Sequence, residues 1–97
     1  MAVKISNIWR VKIAMKDMEK QGYEIMKCCD HRKPYYDFIA HIRNSQSLFV
    51  DAQDRNFSPR ELQKFKELAE HTNGRAVKAH IKHFLGFFGL KVEYTIL

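Results

Sequence analysis

The segment from Pro34 to Gln53 reads PYYDFIAHIRNSQSLFVDAQ, and Asp37, Asp51 and Gln53 are the residues in it with the most chemical capacity. Two carboxylates brought together hold one hard divalent cation, Mg²⁺ or Mn²⁺, leaving other positions for water and a substrate phosphate. An ion held in that way stabilises charge on a phosphate and lowers the pKa of an attacking water. Asp51 and Gln53 are two residues apart, so in a strand they project from the same face while Val50 and Ala52 enter the other layer. Asp37 joins them only if a hairpin register sets it opposite Asp51 or Gln53. A slip of one residue sends it to the opposite face.

The elements that must position these residues follow from pattern. DFIAHI and SLFVDAQ are apolar runs separated by RNSQ, which is turn chemistry, so the spacing predicts a hairpin with both faces covered for much of its length. Before it, residues Ser6 to Gln21 carry Ile8, Val11, Met15 and Met18 at helical spacing, with Gly22 as the terminating residue. YEIMK, Tyr23 to Lys27, is a short strand, and CCDHRKP is a basic loop broken by its proline. After the hairpin, SPRE makes Ser58 an N-cap with Pro59 at the first helical position and Glu61 closing a capping box. The apolar stripe Leu62, Phe65, Leu68 and Ala69 continues that helix until TNG, Thr72 to Gly74. RAVKAHI alternates Val77, Ala79 and Ile81 with Lys78, His80 and Lys82, and KVEYTIL alternates Val92, Tyr94 and Ile96, so both are strands. Phe84, Phe87 and Phe88 in the connection between them suit packing or a dimer contact.

The expected order is therefore α-β-β-β-α-β-β, an α/β domain with a mixed central sheet flanked by helices, and residues 1–97 form a single domain. Seventeen Lys and Arg against eleven Asp and Glu give a net charge of +6, spread along the chain, which suits a polyanionic partner such as nucleic acid. Met1 to Asn7 lacks the apolar core of a signal peptide and no run has the length of a membrane span, so a cytoplasmic protein is expected. Cys28 and Cys29 are adjacent, a spacing that strains a disulfide and cannot close around a zinc ion, and are read as reduced thiols.

P-x-x-D, a hairpin, and then D-x-Q before a helix resembles the P-D…(D/E)-x-K signature of the restriction-endonuclease-like nuclease superfamily. In layout the chain looks most like the archaeal Holliday junction resolvases: a first helix ending in KQGY, a basic loop, the Asp-bearing hairpin, the helix LQKFKELAEHTNG, and the strand AVKAHI. The resemblance implies a restriction-endonuclease-like sheet and a Mg²⁺- or Mn²⁺-dependent endonuclease acting on branched or structured DNA. Two-strand cutting further implies a homodimer. Asp37 and Asp51 match the metal-binding carboxylates, and Gln53 the position usually held by lysine.

Three departures stand out. Asp51 replaces glutamate, keeping the charge on a shorter side chain. Gln53 orients water but brings no positive charge. The glutamate expected in helix one is missing, since Arg10, Val11 and Lys12 stand there, leaving Glu19 or Glu24 to take over or the ligand lost. Lys78 is the candidate to supply the missing catalytic charge, beside the reading of a lysine facing solvent or phosphate, and His80 is read as a surface or phosphate-contacting histidine. Asp30 to Lys33 (DHRK), with Arg32 and Lys33, together with Arg43, Arg55 and Arg60, would ring the site and hold backbone phosphates. The alternative is a catalytically degenerate DNA-binding protein of the same fold, with Gln53 and the missing glutamate as its marks. A small RNA-binding α/β domain ranks last, because the spaced aromatic motif it needs is absent.

Overall fold

The structure, a computed structural model, describes residues 7–27, 35–83 and 89–97. Its elements run α1 (Asn7–Lys20), β1 (Glu24–Lys27), β2 (Phe38–His41), β3 (Ser47–Asp51), α2 (Pro59–His71), β4 (Gly74–His83) and β5 (Leu90–Ile96), the order read from the sequence. Arg32, Lys33, Cys28, Cys29 and the ring cluster Phe84, Phe87 and Phe88 lie outside the described residues.

Helix α1 ends where Gly22 takes φ +96°, with the Gly22 N–H donating to the Glu19 carbonyl and the Tyr23 N–H to that of Met18, each at 3.0 Å. This is the Schellman pattern, which a residue with a Cβ adopts only under strain. At the head of α2 the capping box is complete: the Glu61 N–H donates to the Ser58 hydroxyl, and the Ser58 N–H to the Glu61 carboxylate. Those bonds also hold the Glu61 carboxyl below its usual range.

The five strands form one mixed sheet in the spatial order β1-β2-β3-β4-β5. All neighbours are antiparallel except β3 and β4, which run parallel because α2 carries the chain between them. One face buries Ala14 and Met18 of α1 against Phe38, Ala40, Val50, Val77, Ala79 and Ile81. The other buries Phe65 and Ala69 of α2 against Tyr36, Phe49 and Ala76. Both faces of the β2–β3 hairpin are thus covered, as its apolar runs require.

The helical stripes are narrower than their sequence pattern. Ile8 of α1 and Leu68 of α2 are exposed, because these helices meet the sheet mainly through Ala14, Met18, Phe65 and Ala69. Gly74 does not terminate α2. Asn73 takes the left-handed conformation at φ 57°, and Gly74 opens β4 opposite Ser47. A Cβ on Gly74 would lie 2.7 Å from the Phe49 ring and 2.8 Å from the Ser47 carbonyl oxygen, so close approach of strands sets that glycine.

Candidate functional site

Asp37, Asp51 and Gln53 meet at one end of the sheet. Phe38 pairs with Val50 across the hairpin, and the Asp37 N–H donates to the Val50 carbonyl at 2.8 Å. Asp37 is held between Tyr36 and Phe38, which are buried on opposite faces, and Asp51 between the buried Val50 and Ala52. Tyr36 contacts the Phe49 ring edge-on at 5.1 Å, while Tyr35 and Phe57 pack on Phe65 at 6.0 and 5.5 Å. This aromatic cluster under α2 fixes the chain on either side of the carboxylates. Sequence patterning missed it, although two adjacent tyrosines directly before Asp37 were its visible signal.

Strand periodicity does not bring Gln53 to the site, since β3 ends at Asp51. A turn does so instead. The Asp51 carboxylate accepts the Gln53 N–H at 3.1 Å on Oδ1 and the Arg55 N–H at 3.2 Å on Oδ2, while Asp54 adopts a positive φ of 54°. An aspartate folding the backbone after it over its own carboxylate is a common turn device. The turn directs the Gln53 side-chain amide to Asp37 Oδ1, and Asp37 Oδ2 also accepts the Ala52 N–H at 2.7 Å.

Arg55 takes a place that the sequence reading did not foresee. Expected among the residues that hold DNA phosphates, its guanidinium instead lies between the two carboxylates. Nη2 donates to Asp37 Oδ1 at 2.9 Å, while Nη1 donates to Asp37 Oδ2 at 3.1 Å and to Asp51 Oδ1 at 2.7 Å. The Asp37 and Asp51 side chains are only 5% and 0% exposed, so the cation compensates charges that water does not reach. Burial pushes the Asp51 carboxyl above its usual range, against the opposing pull of the Gln53 N–H and Arg55. For Arg55, burial disfavours the charge, but hydrogen bonds and charge from Asp37 and Asp51 outweigh it and raise the guanidinium's pKa.

Lys78 lies beside the site rather than at its centre. Across the parallel β3–β4 pair it stands opposite Asp51, yet its Nζ donates to the Arg55 carbonyl at 3.1 Å and pairs with Asp54 at 3.3 Å. His80 Nδ1 lies 3.6 Å from the same Asp54 carboxylate, at the exposed margin. Arg60 is exposed in the first turn of α2. Arg43 does not ring the site, because it occupies the turn between β2 and β3 at the opposite end of the hairpin. No group of three or more His, Cys, Asp or Glu side chains suited to a metal occurs among the described residues, and Glu19 of α1 lines the same groove as Asp37.

Two carboxylates converging on one cation are nonetheless a donor set that fits Mg²⁺ or Mn²⁺, which bind through one or two carboxylates with water and phosphate completing the shell. The site opens on a groove of about 1150 Å³, whose walls include Trp9, Lys12 and Lys16 of α1 together with Asp37, Gln53 and Arg55. No protein-family model matches the chain, and no curated protein matches it significantly. Among the described residues, no helix is long and apolar enough to cross a membrane.

Proposed function

We propose that the protein is a Mg²⁺- or Mn²⁺-dependent endonuclease of the restriction-endonuclease-like kind, acting in the cytoplasm as a homodimer on branched or structured DNA. The observation that carries this reading is the meeting of Asp37, Asp51 and Gln53, contributed by the two sides of one hairpin, with Asp37 and Gln53 lining a groove that also includes Lys12 and Lys16. Supporting it, three strands of the mixed sheet run one way while β2 and β5 oppose them, an arrangement compatible with that fold.

In this reading Asp37 and Asp51 would hold the ion, which would lower the pKa of a bound water and stabilise charge on the phosphate. Gln53 spends its amide N–H on Asp37, and its amide oxygen remains to accept a hydrogen bond from the attacking water. That water would attack phosphorus as the bond from phosphorus to the leaving sugar oxygen breaks, with solvent taking the water's proton and returning one to the leaving oxygen. Lys12 and Lys16 attract the phosphate backbone along the groove, and the low specificity of such contacts suits recognition of shape rather than sequence.

One observation favours the second reading, a DNA-binding protein that has lost its chemistry: Arg55 already neutralises the carboxylates. Incubation of branched and linear DNA with Mg²⁺ or Mn²⁺, beside Asp37→Asn and Asp51→Asn, separates the two. Cleavage that requires the metal and disappears in both variants supports the nuclease. Salt-sensitive binding without cutting supports the degenerate binder, and equal residual cutting by wild type and variants removes the nuclease reading.

A further inference from the structure

We propose that Arg55 is an exchangeable counter-ion of the carboxylate pair, displaced when a divalent cation binds and thereby released into the groove to bind the phosphate of the DNA. The inference rests on the nuclease reading and assigns Arg55 two alternating partners. Its guanidinium engages Asp37 Oδ1, Asp37 Oδ2 and Asp51 Oδ1 at 2.7 to 3.1 Å, three of the four carboxylate oxygens. A divalent cation between the same carboxylates requires oxygen lone pairs at roughly 2.0–2.6 Å, so ion and guanidinium compete for one space and repel each other by charge.

The surroundings permit the side chain to leave without unfolding the turn. The Arg55 backbone is pinned independently, its N–H to Asp51 Oδ2 at 3.2 Å and its carbonyl to Lys78 Nζ at 3.1 Å. Its side chain is 22% exposed and lines the same groove as Lys12 and Lys16. A guanidinium moved from a carboxylate to a phosphate keeps bidentate, charge-assisted hydrogen bonds at both ends of the exchange. Metal and DNA then bind with positive coupling, because the ion frees a phosphate ligand and the phosphate holds that ligand away from the ion.

The test measures Mn²⁺ binding to the full chain without DNA, by electron paramagnetic resonance, for wild type, Arg55→Met and Arg55→Met with Asp37→Asn. Occupation by Arg55 reduces apparent affinity by the fraction of molecules with the site open, so Arg55→Met is expected to bind Mn²⁺ about tenfold or more tightly than wild type, a gain lost in the double variant. Equal Mn²⁺ affinity in wild type and Arg55→Met overturns the exchange while leaving the nuclease reading standing. Absence of Mn²⁺ binding in both overturns the two together. Exchange without any DNA cleavage upholds the role of Arg55 and removes the nuclease.

Because Arg55→Met leaves two carboxylates uncompensated and risks misfolding, the wild-type protein supplies a second measurement. During a Mg²⁺ titration followed by NMR, the Arg55 side-chain Nε–H signal and the Ala52 amide, which donates to Asp37, are expected to shift together. A shift at Ala52 with the Arg55 side-chain signal unmoved overturns the proposal.

Discussion

At the scale of single residues, the site is governed by how two buried negative charges are compensated. Asp51 accepts the N–H groups of Gln53 and Arg55 and one guanidinium N–H, and its side chain is fully buried. Asp51→Ala therefore removes three bonds at once, leaving the turn after β3 without its organiser and Arg55 with Asp37 alone. Removing one member of a buried ion pair costs about 3–5 kcal/mol, and that range is expected for Asp51→Ala in urea unfolding at neutral pH. A loss below about 1 kcal/mol would show that the turn holds itself and that Asp51 is stored there at little structural benefit. Gln53 is held by this same turn, so the direction of its side-chain amide depends on Asp51 as much as on its own side chain.

At the scale of elements, close packing at the parallel β3–β4 junction makes Gly74 a sharper constraint than its place after a helix suggests. Ala at this position brings its Cβ against the Phe49 ring and the Ser47 carbonyl, and Phe49 is the ring that Tyr36 meets edge-on beneath Asp37. Overpacking of this kind costs roughly 1–3 kcal/mol, so Gly74→Ala is expected to lower the urea midpoint by a matching amount. An unchanged midpoint would mean that β4 shifts freely along β3. The element order was legible because each segment carried its own signal: the Ser58 capping box, the Gly22 stop, and the alternation in β4. The meeting of Asp37 with Asp51 was legible only as a condition, because the apolar runs leave the hairpin register open by one residue and the structure supplies it by pairing Phe38 with Val50. What periodicity could not show is the chain beyond β3. The approach of Gln53 and the turning of Arg55 back onto the carboxylates follow from side-chain bonds and a positive φ at Asp54, which leave no periodic trace.

At the scale of the whole molecule, one hydrogen bond ties the first helix to the last strand across 77 residues. The Tyr94 hydroxyl donates to Asp17 Oδ2, which also accepts from Gln21 at 2.7 Å, so α1 is fastened to β5 by a phenol that must stay protonated. Burial, then the bond to Asp17 and its charge, push the Tyr94 pKa well above the usual tyrosine range. The linkage has a definite sign. Below about pH 10 both folded and unfolded chains keep the phenolic proton, and the contribution of the bond is fully present. Above that pH the unfolded chain loses the proton while the folded one retains it, so stability falls by up to about 1.4 kcal/mol per pH unit from this group. Tyr94→Phe removes the hydroxyl while Gln21 still serves Asp17, and the expected cost near pH 7 is about 1 kcal/mol. Because the variant has no phenol to titrate there, its deficit relative to wild type is expected to shrink towards about pH 11. Urea unfolding of both proteins at the two pH values checks this, and a constant difference between them would mean that the Asp17–Tyr94 tie does not couple the ends of the chain to the proton.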